Sequence, residues 1–156
     1  MLFYLRTRRY RKNFIYNTLY YLLTGNNKKI CSGAFTGIAA TLLPFGKTVH
    51  KAFDFKVPLY SDSVSGFKLQ SKEADYSRSV DMFILDEAPM APRYALKAID
   101  SSLRTFMKNY IPFGGKTMVL GGDFRQLLPV EKDSTESEII DLCIKKQSSM
   151  ETFRNF

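Results

Sequence analysis

The sequence predicts an α/β domain with a parallel sheet flanked by helices, and three observations predict it. Strand-like apolar runs alternate with helical patterns along the chain. One run, Val80 to Leu85, ends in the adjacent acids Asp86 and Glu87. A second, Thr117-Met118-Val119-Leu120, breaks into Gly121-Gly122-Asp123-Phe124-Arg125-Gln126. Strand then acid, followed by strand then polar loop, is how an open parallel sheet presents groups at the carboxyl ends of its strands, where ligands bind.

The elements follow in order. A helix is expected near 12–24, because positions 14, 15, 18, 19, 22 and 23 have the spacing of a buried helical face. Gly25-Asn26-Asn27 stops it. A short strand near 29–35 runs into Thr36-Gly37-Ile38-Ala39-Ala40, which opens another helix. Residues 54 to 75, polar and carrying Pro58, Gly66 and several serines, read as a loop-rich insertion before the strand at 80–85. Over 92–109, Ala95, Ala98, Ile99, Ser102, Leu103 and Phe106 share one helical face. Pro112-Phe113-Gly114-Gly115 turns the chain into a strand at 116–120, and a charged tail from 131 carries a weak helix around 136–146.

A chain of 156 residues is long enough for one compact domain with a real core. Its net charge of +8 is one-sided, since residues 1–53 hold nine Lys/Arg and no Asp/Glu. Such a segment, interleaved with Tyr and Phe, reads either as a nucleic-acid footprint or as a solvated, partly disordered N-terminus. The Arg-rich, acid-free start also resembles a mitochondrial presequence in composition, although the helix at 14–23 aligns better with a nucleotide-binding unit. Cys31 and Cys143 share no metal-like or redox spacing and read as free thiols in a reducing compartment. No stretch approaches the ~18 apolar residues that span a bilayer, so no membrane partner is expected.

Asp86-Glu87 at a strand end suits nucleotide hydrolysis: one carboxylate holds Mg²⁺, often through water, and its neighbour positions the attacking water. The other half of such a site is a glycine-rich loop that ends in Gly-Lys-Ser/Thr and opens a helix. Where it belongs stands Phe3-Tyr4-Leu5-Arg6-Thr7-Arg8-Arg9-Tyr10-Arg11-Lys12-Asn13. Lys12 takes the place of the phosphate-binding lysine, and Asn13 replaces the hydroxyl residue that would ligate Mg²⁺. Glycines let successive backbone N–H groups close around phosphate oxygens, and arginines cannot reproduce that cradle. Each residue also has a plainer reading. Asp86-Glu87 alone is a surface acid pair or a helix N-terminal charge, Gln126 alone means nothing, and a lone His50 is a hydrogen-bonded structural histidine.

Five ordered blocks carry a resemblance. They are Thr36 to Ala40, Gly46-Lys47-Thr48-Val49-His50-Lys51-Ala52-Phe53, Asp86 to Met90, Phe113-Gly114-Gly115-Lys116 and Gly121 to Val130. In this order they resemble the Pif-type DNA helicases of superfamily one, including the helicase portion of Helitron-like mobile elements, over residues 12 to about 146. The resemblance implies a RecA-like P-loop NTPase fold, incomplete at its N-terminal phosphate-loop edge. It divides the chain into a basic segment at 1–11, a first motor domain at 12–146 and a tail at 147–156. It implies an ATP-dependent DNA helicase with Mg²⁺ as cofactor, ATP as substrate and single-stranded DNA as partner. Repair, recombination and telomere maintenance would be its setting, and the nucleus, or else the mitochondrion, its address.

Carried over by position, Asp86 is the Mg²⁺-associated acid, Glu87 the base that orients water and Gln126 the γ-phosphate sensor. Lys12 and Asn13 fall at the nucleotide; Arg125 either reaches phosphate or pairs with an acid in the sheet crevice. Thr36 and Gly37 fall in the block that contacts single-stranded DNA, and Thr48 and His50 in a neighbouring DNA-side block. The departures set further expectations. Loss of the phosphate cradle weakens ATP binding on the scale of oxyanion-type donors, ~3 kcal/mol each. The partner lobe with its arginine finger, worth about 10³–10⁵ in rate, is not in the sequence, so a truncated and catalytically impaired copy is expected. The alternatives are a single-stranded DNA-binding module without ATPase activity and a non-functional mobile-element relic.

Overall fold

Three apolar runs become the centre of the sheet: Ile30–Ala34 (β2), Met82–Asp86 (β4) and Thr117–Gly121 (β5). Nearly every residue in them is buried, as expected of strands covered on both faces. The computed structural model describes residues 2–5, 9–91 and 93–122. Leu2–Leu5 (β1) and Lys47–Thr48 (β3) complete a five-stranded sheet of order β1-β5-β4-β2-β3 in which every pairing is parallel. The helices are α1 (Arg9–Gly25), α2 (Gly37–Thr41), α3 (Val49–Phe53), α4 (Lys72–Ser79) and α5 (Arg93–Met107). This is the expected α/β class with a parallel sheet.

Alternation along the strands sorts the core into two layers. Phe83, Leu85, Met118 and Leu120 face one side, where they pack with Phe53, Phe55, Ile99 and Leu103. Ile84 and Val119 face the other side, with Tyr16, Ile30, Ala34, Ala39, Ala40 and Leu43. Each large apolar side chain so buried contributes about 1.5–3 kcal/mol. The expected face of α5 is buried throughout, Ser102 included. Ser102 Oγ donates to Ala98 O at 2.6 Å and accepts from Ser65 N at 3.0 Å, which ties the long loop to the helix.

Three expectations need correction. The basic N-terminus is not wholly solvated coil: Leu2–Leu5 is a strand, in register with Met118 to Gly121 of β5, so an apolar run too short to stand out supplies an edge of the sheet. The expected buried face of α1 holds only in part: Leu19 and Leu23 pack against the core, but the helix is rotated from the expected face. Phe14 is 71% exposed and Leu22 60%, whereas Lys12 and Tyr16 are buried, because polar contacts at the end of β4 fix the rotation of the helix. Finally, the insertion at 54–75 is loop only as far as Ser71. There the Ser71 side chain accepts from Ala74 N and starts α4, with Glu73 and Asp75 in the first turn and Arg78 in the last. The weak helix near 136–146 and Cys143 lie outside the described residues; Cys31 is a free, buried thiol on β2.

Candidate active site

β4 carries two acids to the carboxyl edge of the sheet. Asp86, its last residue, is in register with Ala34 of β2 and is buried. Glu87 then turns the chain in a left-handed conformation, φ 56 and ψ 32, and Pro89 fixes the 3₁₀ turn Ala88–Met90 that follows. A non-glycine residue there costs roughly 1–2 kcal/mol.

α1 approaches the same point. Lys12 lies in its first turn, 1% exposed, with Nζ 3.0 Å from Asp86 Oδ1 and 3.5 Å from Glu87 Oε1. One helical turn later the Tyr16 hydroxyl donates to the same Asp86 Oδ1 at 3.0 Å. One cation between two carboxylates leaves this group with a formal excess of negative charge. Hard oxygen donors so few in number suit Mg²⁺, which is held by one or two carboxylates together with phosphate and water rather than by an all-protein cage. No group of three or more His, Cys, Asp or Glu able to hold a metal occurs among the described residues.

The spacing from β1 to Lys12 is informative. Lys12 is the seventh residue after Leu5, the end of β1, and in Gly-x-x-x-x-Gly-Lys the lysine is likewise seventh. Arg6 and Arg11 stand in the two glycine positions, and α1 is already helical at Arg9. The lysine is therefore delivered to the acids without the glycine backbone that would precede it. Asn13, beside it, is half-buried.

Packing explains two glycines of the Gly121 to Val130 block. A Cβ on Gly121 would lie 1.4 Å from Tyr16 Oη, and one on Gly122 would lie 2.0 Å from Pro89 Cδ. The end of β5 thus closes on both α1 and the turn after Glu87. Gln126 and Arg125 lie outside the described residues.

The residues expected at DNA sit beyond β2 and β3, whose ends are in register at Ala34 and Thr48. Thr36 caps α2, its hydroxyl accepting from Ala39 N at 3.2 Å, and Thr48 caps α3 by accepting from Lys51 N at 3.3 Å. His50 on α3 is half-buried and its carbonyl accepts from Phe55 N at 2.9 Å. A Cβ on Gly37 would meet nothing within 4 Å, so no internal contact demands glycine there. Gly46 differs: a Cβ would stand 2.1 Å from Ala40 O. Next to this edge Ile38 and Phe45 are 75% and 80% exposed, and Phe45 packs against Tyr20 with centroids 5.7 Å apart. Phe35 N donates to Asp86 O at 3.4 Å, which joins the segment before Thr36 to the acid strand.

The structure thus brings Lys12, Asp86 and Glu87 into one cluster and sets Thr36, Gly37, Thr48 and His50 along a neighbouring edge. Tyr16 was not anticipated from sequence. Its one signal is the four-residue spacing from Lys12, which places both side chains on one face of α1.

Comparison with known proteins gives the family. The PIF1-like helicase family profile matches residues 1–156. The ATP-dependent DNA helicase RRM3 of Saccharomyces cerevisiae is 31% identical over 122 residues, 77% of this chain and 17% of that protein. The ATP-dependent DNA helicase Pif1 of a Psychrobacter species is 29% identical over 121 residues, 76% of this chain and 18% of that protein. Among solved structures, Bacteroides Pif1 in complex with ADP-AlF3 and single-stranded DNA superposes with a TM-score of 0.75 at 25% identity, over 96% of this chain and 35% of that one. Candida albicans Pif1 superposes at 0.73 with 24% identity, over 96% of this chain and 33% of that one. The chain spans less than a fifth of the length of these two curated relatives.

Proposed function

This chain belongs to the PIF1-like helicase family, and we propose that it forms the ATP-hydrolysing first motor lobe of a DNA helicase. The observation that carries the reading is Lys12 Nζ, buried between Asp86 Oδ1 and Glu87 Oε1 where α1 meets β4. In a nucleotide-free site the lysine bridges both acids. With ATP present it moves to phosphate oxygens, and Glu87 is freed to accept a proton from the attacking water. Mg²⁺ on Asp86, directly or through water, would neutralise charge on the phosphates. Gln126 is assigned as the γ-phosphate sensor and Arg125 to the same crevice. Asn13, with no hydroxyl, leaves the metal one ligand short of the family pattern.

On the DNA side, the exposed Gly37 backbone and the Phe45 ring offer a surface for a single strand, with Thr36, Thr48 and His50 beside them. The hydrogen bond from Phe35 N to Asp86 O offers a route by which nucleotide state would reach that edge. Phosphate binding is weak in this copy, because Arg6 and Arg11 replace the cradle's glycines. Unwinding needs two lobes that open and close, so this span is assigned ATP hydrolysis and DNA binding rather than strand separation. The family resemblance supports repair, recombination or telomere maintenance as the setting. It supports the nucleus as the address, with the mitochondrion second on the strength of the Arg-rich start.

The test is phosphate release by the purified chain with MgATP, with and without single-stranded DNA. DNA-stimulated release that disappears in Glu87→Gln, with nucleotide binding retained, is the expected result. Salt-steep DNA binding indifferent to Glu87→Gln, with no hydrolysis in the wild type, would instead establish a DNA-binding module. An aggregating chain with no cooperative melt would identify a relic.

A further inference from the structure

We propose that Tyr16 is the positioning residue that holds Asp86 for the metal–nucleotide complex. The inference rests on the nucleotide-site reading above and adds to it a role for a residue outside the family's motif blocks.

Two donors, Lys12 Nζ and Tyr16 Oη, share Asp86 Oδ1 at 3.0 Å each. They differ in what they do to the carboxylate and in how freely they can leave it. Lys12 is a point charge on a flexible stem that cancels the charge a divalent cation needs, and it must depart when phosphate arrives. Tyr16 is a neutral donor that orients the carboxylate and leaves its charge intact. It is also fixed. The side chain is 0% exposed, packs among Ile84, Val119 and Ala34, and stands so close to β5 that only glycine fits at position 121. When Lys12 moves to phosphate, the Tyr16 hydroxyl stays on Asp86. Ligating carboxylates are held by such outer partners, and removing one typically weakens metal binding about 10–100-fold.

The plainer account is that Tyr16 only closes α1 on the sheet, and the two roles separate experimentally. Tyr16→Phe keeps the ring and deletes the hydroxyl. Binding of Mn²⁺ to the full chain is followed by electron paramagnetic resonance with and without ADP, and ADP binding alone by calorimetry. The expected result is a loss of about 10–100-fold in Mn²⁺ affinity in the presence of ADP, with metal-free ADP affinity unchanged. Should Tyr16→Phe not fold, Gly121→Ala disturbs the same contact from the other side, since its Cβ would stand 1.4 Å from the Tyr16 hydroxyl oxygen and 2.7 Å from Cζ and must shift ring and hydroxyl together relative to Asp86. Unchanged Mn²⁺ affinity with a lowered melting temperature in either variant would overturn the proposal and leave Tyr16 a packing residue. A wild-type chain that binds neither ADP nor Mn²⁺ with ADP would overturn the nucleotide-site reading itself, and this inference with it.

Discussion

Tyr16 and Gly121 are fitted so closely that a Cβ on the glycine would stand 1.4 Å from the tyrosine hydroxyl oxygen. This contact joins α1 to the end of β5 and, through the Tyr16 hydroxyl, to Asp86 on β4. Gly121→Ala must therefore move a fully buried ring. Overpacking of this kind costs typically about 1–3 kcal/mol, which in a chain of this size lowers the melting temperature by roughly 2–4 °C per kcal/mol. Gly37→Ala is the control, because a Cβ there meets nothing within 4 Å and alanine favours the helix it begins. Thermal melts of the two variants should diverge, with Gly121→Ala well below wild type and Gly37→Ala at or slightly above it.

Lys12 is the cation between two partly or fully buried acids, so Lys12→Met should damage the fold as well as the chemistry. Removing one partner of a buried pair typically costs about 3–5 kcal/mol, since it leaves charge buried without compensation. Pairing it with Asp86→Asn removes one of the stranded charges and should recover a large part of that loss in urea unfolding. Neither variant should release phosphate from ATP. If Lys12→Met unfolded at the wild-type urea midpoint, the ion pairs would not be contributing to the folded state.

Glu87 separates stability from activity. Its backbone sits at φ 56, ψ 32, where glycine is at ease and glutamate is not. Glu87→Gly should relieve about 1–2 kcal/mol of conformational cost, offset in part by the lost contact with Lys12, and should abolish ATP hydrolysis. Glu87→Gln keeps the strain and loses the base. A gain in melting temperature in the glycine variant alone, with both inactive, would show strain maintained for function.

The legibility of this fold in its sequence depended on what decided each element. α5 was read correctly to its individual positions because packing alone orients it: Ala95, Ile99, Leu103 and Phe106 bury in an apolar layer. α1 was only partly legible because chemistry orients it. Lys12 and Tyr16 reach one carboxylate, and the helix is turned by roughly a quarter of a revolution, at 100° per residue, from the face its apolar spacing favours. β1 was hidden for another reason, since four residues beside a run of arginines give too little periodicity to separate strand from tail. α4 was hidden by its mean polarity, with Ala74 and Ser77 as its buried positions. Asp86 and Glu87 were legible because two acids closing an apolar strand have few structural reasons to be there. Tyr16 was not, because its role requires knowing that β5 and β4 lie side by side.

The pH dependence of stability should be set on its alkaline side by Cys31. Burial on β2 pushes its thiol up to about 11, against the opposing pull of Lys47 and of a hydrogen bond with Tyr76. An unfolded thiol titrates near 8.5, so between these values the unfolded chain has released a proton that the folded chain retains. The folded pKa is the higher one. The stabilisation is therefore complete below about pH 8.5 and is lost as pH rises toward 11, by an amount on the order of 3 kcal/mol. Tyr76, pushed up to about 12 chiefly by burial, continues the loss in the same direction from about pH 10, the unfolded phenol value. Urea midpoints measured at pH 8 and pH 10 should fall steeply in the wild type and much less in Cys31→Ala, whose cavity lowers both values without adding slope. The thiol should also react slowly with a disulfide reagent at pH 8 and promptly in urea, since only the unfolded chain presents thiolate. Equal slopes in wild type and Cys31→Ala would mean that the thiol is hydrated in solution and that β2 is less closely covered than its burial here implies.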